Sequence, residues 1–362
     1  MKMLLDGQWV DRDKKIDVTD PYDNSVIDTV PAGSKQDVET ALRGAVKGFE
    51  ITKKMTVYER AQILFKTAQI ISDNLEDFAT TIAREGSKTI TEARKEARRC
   101  VNTITASAEE AKRILGETIP FDSFPGGEKR RGYYYRFPIG IILAITPFND
   151  PLNLVAHKLG PAIAAGNAVI LKPATVTPLS AIKLVEAMVK AGLPAQAIQV
   201  ITGYGHEIGD LLVSDERVRM ISFTGGVEAG KRIAKLAGIK KIGMELGSNS
   251  PVIVWKDADI DLAVESCVSG AFWAAGQNCI GVQRLLVHKD IYDEFKTKFV
   301  ASTKKYKIGD KLKDDTNMGP MITEAEAIRV EKWVNEAREK GATVLTGGKR
   351  KGALFEPTVL EN

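Results

Sequence analysis

Cys279 lies in the run Gly276-Gln277-Asn278-Cys279-Ile280-Gly281-Val282-Gln283-Arg284. A glycine and two amides precede the thiol, and another glycine follows two residues later. Small residues around a thiol let the backbone turn tightly and let a substrate approach. A structural cysteine more often sits among branched apolar residues, so on this run alone a reactive thiol and a buried bystander both stay open. Two further stretches bear on the choice. Met244-Glu245-Leu246-Gly247-Ser248-Asn249-Ser250-Pro251 offers the Glu245 carboxylate on a turn just before an apolar strand. Thr146-Pro147-Phe148-Asn149-Asp150-Pro151 offers the Asn149 amide on a loop. A thiol, a carboxylate and an amide donor are a nucleophile, a base and an oxyanion stabiliser.

The elements that must hold these groups follow from the pattern between residues 139 and 255. Apolar strands at 140–146, 168–172, 198–202, 220–223 and 242–245 alternate with helical stretches at 152–165, 178–191, 207–213 and 227–237. That alternation predicts a parallel sheet covered on both faces. Lys172 ends one strand, at the side where such sheets bind ligands. Ser222-Phe223-Thr224-Gly225-Gly226-Val227-Glu228-Ala229-Gly230 leads a strand through glycines into a helix. Exposed N–H groups and a helix N-terminus there suit a phosphate, although the run is neither Gly-x-Gly-x-x-Gly nor a P-loop, and a plain turn is the competing reading. After Pro251 come strands at 252–255, 283–287 and 343–346 and helices at 262–275, 291–306 and 325–340. Before residue 139, short strands at 4–10, 15–18 and 25–30 precede a helix capped by Ser34. A helix from Thr56 carries Ala61, Leu64, Phe65, Ala68 and Ile71 on one face and continues through 75–84. A further helix spans 90–115 and carries Arg94, Arg98 and Arg99, a basic face that suits either solvent or an anion. Lys129 to Phe137 is basic and aromatic and reads as an exposed strand or arm. It suits a subunit contact better than nucleic acid, since the chain is nearly neutral.

Of 362 residues, 51 are basic and 47 acidic, a net charge of +4 that is too small for a nucleic-acid footprint. Cys100, Cys267 and Cys279 show no Cys-x-x-Cys spacing, and His157, His206 and His288 are far apart. No disulfide framework and no metal site is expected, and a reducing, cytoplasmic compartment is. The N-terminus breaks into charge too early for a signal peptide, and no apolar run approaches the ~20 residues of a membrane span.

Five runs taken together resemble the aldehyde dehydrogenase superfamily: Thr-Pro-Phe-Asn at 146–149, Leu-Lys-Pro at 171–173, Ser-Phe-Thr-Gly at 222–225, Met-Glu-Leu-Gly at 244–247 and Gly-Gln-Asn-Cys at 276–279. The run from Pro147 to Lys158 looks most like the branch acting on lactaldehyde, glyceraldehyde phosphate and sulfo- or phosphonoaldehydes. The resemblance implies an α/β protein: a doubly wound NAD(P)-binding domain over 1–246, with an oligomerisation arm at 118–138, and a second α/β catalytic domain over 247–362. It implies that Cys279 attacks a small aldehyde, that Asn149 and the Cys279 N–H hold the oxyanion, and that Glu245 activates the water that releases a free acid. NADP or NAD would lie against Thr146, Pro147, Phe148, Lys172, Pro173, Thr175, Phe223, Thr224, Gly225, Gly226, Leu246 and Gly247. Thr175 stands where relatives that prefer NAD often carry an acid, so NADP is tolerated. Gly226 replaces the family's common serine. Arg99 and His157 would face the substrate and suit an anionic aldehyde, against a reading in which Arg99 pairs with Glu96 and His157 is an ordinary helix residue. For a complete chain the resemblance implies a homodimer or homotetramer. Family members continue past position 362, through a Glu-Phe-Gly-Pro stretch whose glutamate contacts the nicotinamide ribose. The resemblance therefore implies an incomplete catalytic domain, with exposed apolar surface and an unpaired sheet edge. Two rival functions stay open on the sequence: an inert homologue that at most binds cofactor, and a cysteine esterase working without nicotinamide.

Overall fold

Ile141–Ile145 reads Ile-Ile-Leu-Ala-Ile, apolar throughout, as a strand covered on both faces must be. It is the middle of five parallel strands in a computed structural model that describes residues 1–362. Ala168–Lys172 pairs with it in parallel on one side and Val218–Thr224 on the other. Ile198–Val200 then flanks Ala168–Lys172, and Lys241–Glu245 flanks Val218–Thr224, both in parallel. The chain thus builds outward from the centre in one direction, returns, and builds outward in the other. This is the doubly wound order, and its reversal falls between Ile141–Ile145 and Val218–Thr224. The loops beginning at Thr146 and Gly225 leave the carboxyl ends of these two strands, which places both beside the crevice where such sheets take ligands.

Two N-terminal strands extend this sheet to seven, a placement their local pattern does not disclose. Met3–Leu5 runs antiparallel to Ile198–Val200 and to Gln8–Val10. The two-residue turn between them has Asp6 at φ 48° and Gly7 at φ 82°, the left-handed pair that Asp-Gly tolerates. Lys15–Thr19 and Val26–Pro31 form a separate antiparallel ribbon.

Three helices begin with a full capping box: Lys35–Thr52 at Ser34, Val57–Asp73 at Thr56 and Ile90–Ala111 at Thr89. Each cap contributes about 1 kcal/mol. The helix expected to run unbroken to residue 84 stops at Asn74, whose side-chain amide turns back to the Ile70 carbonyl at 2.8 Å. Leu75–Glu85 starts again as its own helix. Asparagine competes with the backbone for hydrogen bonds and so breaks helices more readily than their apolar spacing suggests. Likewise the next helix ends at Ala111, four residues before the expected Leu115. Glu85 is fully buried and receives the N–H groups of Leu179 (2.7 Å) and Ser180 (2.8 Å), which open the Leu179–Lys190 helix.

Beyond residue 250, Pro251–Val254 and Arg284–Val287 pair in parallel, joined through the Ile260–Phe272 helix. Thr343–Thr346 pairs antiparallel with Val359–Glu361, and Arg350–Lys351 with Leu354–Phe355. The last pair is only two residues per strand, too short for an alternation to be read. Of four buried apolar clusters, two contain only residues up to Ala237 and two only residues from Val254 onward. Glu117–Ile119 and Gly132–Tyr134 form an isolated antiparallel hairpin, and Phe124, Tyr133, Tyr135 and Phe137 around it are exposed. No helix is long and apolar enough to cross a membrane.

Candidate active site

The Ile260–Phe272 helix does not reach Ala275 as its composition suggests. Ala274 (φ 48°, ψ 42°), Ala275 (φ 55°, ψ 37°) and Gly276 (φ 75°) turn left-handed in succession and swing the chain toward Cys279. For the two alanines this conformation costs roughly 1–2 kcal/mol each. The surroundings hold it. The buried carboxylate of Glu92 receives the Ala274 N–H at 3.2 Å, and burial pushes that carboxyl up to about 7. Gln277 donates its amide to Ser87 Oγ (2.9 Å) and the Ala274 carbonyl (2.8 Å) and accepts the Ile322 N–H (3.0 Å). Asn278 reaches back to the Trp273 carbonyl at 2.5 Å, and the Ser248 hydroxyl donates to the Cys279 carbonyl. Cys279 is half-buried, whereas Cys100 and Cys267 are buried and their thiols are pushed up by desolvation.

Asn149 meets this loop directly, its Nδ2 donating to the Gln277 carbonyl at 2.8 Å, two residues before the thiol. Its neighbours are pinned from beneath. Asp150 pairs with the buried Lys88, and Glu96 receives the N–H groups of Leu152 and Asn153, each at 2.9 Å. Glu245 ends its strand with its carbonyl accepting the Gly225 N–H at 3.0 Å and its side chain exposed.

Two cavities meet at these residues. One, of about 590 Å³, is lined by Cys279, Glu245, Arg99, His157, Lys158, Asp150 and Trp273, among others. The other, of about 790 Å³, is lined by Cys279, Glu245 and Asn149, by Thr146, Pro147 and Phe148, and by Phe223, Thr224, Gly225, Gly226, Leu246 and Gly247. Fourteen residues suggested from the sequence therefore converge, since Arg99 and His157 face the first cavity. Lys172, Pro173 and Thr175 do not line either one, although Ala174 between them lines the second. Lys172 is buried, its ammonium donating to the Pro173 carbonyl at 3.2 Å and its pKa lowered by desolvation to about 8. Thr175 Oγ1 is spent on the Gly203 carbonyl at 3.1 Å.

Arg99 is exposed, and Glu96 gives its carboxylate to Lys88 and to backbone N–H groups rather than to Arg99. His157 is also exposed, with Thr103 Oγ1 3.5 Å from Nε2, and partial desolvation of its ring and the Arg99 charge lower its pKa. On the second cavity the sequence reading omitted Glu326, Arg329 and Trp333. Their i, i+3 and i+7 spacing on the Glu324–Glu339 helix was the available signal, and Arg329 lies 4.3 Å over the Trp333 ring. On the first cavity it omitted Lys158, which bonds to Ser222 Oγ at 3.1 Å and is brought down to about 8 by desolvation, opposed by Glu245. A lysine depressed in the folded state destabilises that state while charged, and the penalty lifts as pH rises from about 8 to 10.5. Unfolding of Lys158→Met and parent protein followed by denaturant at pH 7 and pH 10 is expected to show the variant's relative advantage shrink by up to about 3 kcal/mol. An unchanged difference would contradict the assignment.

The carboxyl ends of this doubly wound sheet open on cavities lined by Cys279, Glu245 and Asn149, the side on which α/β folds of this kind take ligands. The chain belongs to the aldehyde dehydrogenase family, whose sequence profile matches residues 9–362. It is 51% identical over 347 residues to aspartate-semialdehyde dehydrogenase 1 of Pseudomonas canavaninivorans, covering 96% of this chain and 74% of that protein. Its structure is similar to aldehyde dehydrogenase 21 of Physcomitrella patens in complex with the reaction product succinate (TM-score 0.96, 41% identity, 99% of this chain and 75% of that one). It is also similar to glyceraldehyde-3-phosphate dehydrogenase GapN of Methanocaldococcus jannaschii complexed with NADP (TM-score 0.92, 40% identity, 97% and 76%). The chain spans about three quarters of the length of these relatives.

Proposed function

We propose that this chain oxidises a small anionic aldehyde to its carboxylic acid with NADP or NAD, through a covalent intermediate on Cys279. The observation that carries the reading is the meeting of two cavities at Cys279 and Glu245, one suited to a dinucleotide and one to an aldehyde. The dinucleotide fits the larger cavity on three counts. Gly226 is the N-cap of the Val227–Leu236 helix with no side-chain cap, so the first N–H groups have no side-chain acceptor. A Cβ on Gly226 would meet nothing within 4 Å, so there is open space for a phosphate. Thr146 Oγ1 is buried and has no hydrogen-bond partner. Residues 146–148, 223–226, 246 and 247 would hold the cofactor, with Lys172, Pro173 and Thr175 flanking Ala174, which lines the same cavity.

Within this reading the Cys279 thiolate adds to the aldehyde carbon and the carbonyl oxygen takes the negative charge. The Asn149 amide and the Cys279 N–H stabilise that oxygen, Asn149 exchanging its bond to Gln277 for one to the substrate. A dinucleotide held by these residues would supply the hydride acceptor, and loss of hydride from the adduct would leave an acyl group on Cys279 as a thioester. Glu245 then removes a proton from water, hydroxide adds to the thioester carbon, and the thiolate leaves with the acid released. Arg99 and His157 at the smaller cavity suit a carboxylate, phosphate or sulfonate at the far end of the substrate. That both a semialdehyde of an acidic amino acid and succinate figure among the relatives agrees with this class.

We infer the division into cofactor and catalytic domains at 246/247 from the separation of the apolar clusters, and a subunit contact at 118–138 from its exposed aromatics. A dimer or tetramer fits the exposed arm. The test is absorbance of reduced nicotinamide with NAD or NADP and a panel of small aldehydes, and a flat trace from folded protein for every pair sinks the reading. In the same assay Arg99→Ala is expected to raise KM for anionic aldehydes about 10–100-fold and leave uncharged ones within about twofold. An equal effect on both kinds would remove Arg99 from the substrate site.

A further inference from the structure

Ser87, Lys88 and Thr89 join the Leu75–Glu85 helix to the Ile90–Ala111 helix, and all three are buried. Each reaches a different support of the active site. Ser87 Oγ accepts from Gln277, two residues before Cys279, at 2.9 Å. Lys88 Nζ pairs with Glu96 at 2.6 Å and with Asp150, next to Asn149. Thr89 caps the second helix, and its capping partner Glu92 receives the Ala274 N–H in the left-handed turn. Asn149 and Gln277 are themselves bonded, which closes the circuit.

We propose that this buried connection is a clamp that sets the position of Asn149 relative to Cys279, with Lys88 as its principal positioning residue. Loops that carry reactive groups are ordinarily mobile and independent. Here both are tied to one rigid helix start. The tie is stiff because the Lys88 ammonium and its two carboxylates lie away from water, where a broken pair leaves an uncompensated charge. Stiffness matters because an oxyanion donor acts only within about 2.7–3.1 Å of the oxygen it serves, and a shift of about 1 Å costs on the order of 100-fold. The catalytic consequence rests on the dehydrogenase reading above; the mechanical coupling does not.

The coupling is tested on the full chain by hydrogen exchange in peptides spanning 146–153 and 274–281. Ser87→Ala touches only the cysteine loop directly, and Asp150→Asn only the asparagine loop. The clamp predicts that each speeds exchange about tenfold in both peptides and leaves the Tyr292–Lys304 helix unchanged. Loosening confined to the altered loop, or equal in all three regions, overturns it. Kinetics test the positioning role. Lys88→Met, or Asp150→Asn should the former fail to fold, is expected to lower kcat at least about tenfold with aldehyde KM within about twofold. The same substitution is expected to cost nothing further in Asn149→Ala protein, and additive losses overturn the role. A parent protein with no turnover would defeat the dehydrogenase reading, and the exchange result would still decide the clamp.

Discussion

Cys279→Ala protein is expected to bind dinucleotide as tightly as the parent and to lose aldehyde oxidation by about 10⁴-fold or more. The size of the loss follows from the step it removes. Without the thiol no tetrahedral adduct forms, so neither the Asn149 amide nor the neighbouring N–H has a charge to stabilise. Neither remaining cysteine can substitute, because Cys100 and Cys267 are buried and burial holds their thiols protonated. The fold should survive, since Cys279 is half-buried in a loop fixed by Glu92, Gln277 and Asn278 rather than by its own side chain. Titration with dinucleotide and steady-state absorbance check both halves of the expectation. Turnover within tenfold of the parent would mean that another group carries the chemistry. Alkylation makes a companion test: iodoacetamide should label Cys279 well before the other two.

Glu245→Gln protein is expected to release about one equivalent of reduced nicotinamide per chain and then to stall, with kcat lowered roughly 10²–10⁴-fold. The carboxylate has no part in adding the thiol, so the first half of the reaction should proceed. Hydrolysis of the thioester needs a base facing both cavities, and Glu245 lines each of them. Its backbone is fixed by the Gly225 N–H and its side chain is exposed, so the amide should not disturb the fold. Rapid-mixing absorbance separates the burst from the steady rate. Linear turnover without a burst, at the parent rate, would remove Glu245 from the mechanism.

The legible part of this molecule was the part that local chemistry dictates. The apolar run Ile141–Ile145 could hardly be anything but a covered strand, and Ser34, Thr56 and Thr89 announced their helices through caps. The covered parallel sheet followed from strand–helix alternation and its doubly wound form from the family resemblance, and the approach of residues 146–149, 222–226 and 244–247 follows from the carboxyl ends of adjacent strands. The rest depended on contacts between distant residues. Nothing around Ala274 and Ala275 suggests a left-handed turn, because its cause is Glu92, far away in the chain. Met3–Leu5 is too short to reveal that it extends the large sheet. Nothing local sets Lys88, Glu96 and Asp150 apart, and only the fold brings them together in the interior. Lys158, one position after His157, was hidden by the ordinary expectation that lysines face solvent. Lys172 was read at its strand end, where it lies, but its burial and its bond to the Pro173 carbonyl were not legible there.

The claim on which the account turns is that an acyl group passes through Cys279. Glu245→Gln protein mixed with NADP or NAD and an aldehyde it oxidises, quenched in acid and digested, can be read by mass spectrometry. The peptide containing Cys279 is expected to gain the mass of the acyl group in step with the nicotinamide reduced, and hydroxylamine is expected to remove it. Reduced nicotinamide formed with no such adduct on Cys279 would contradict it.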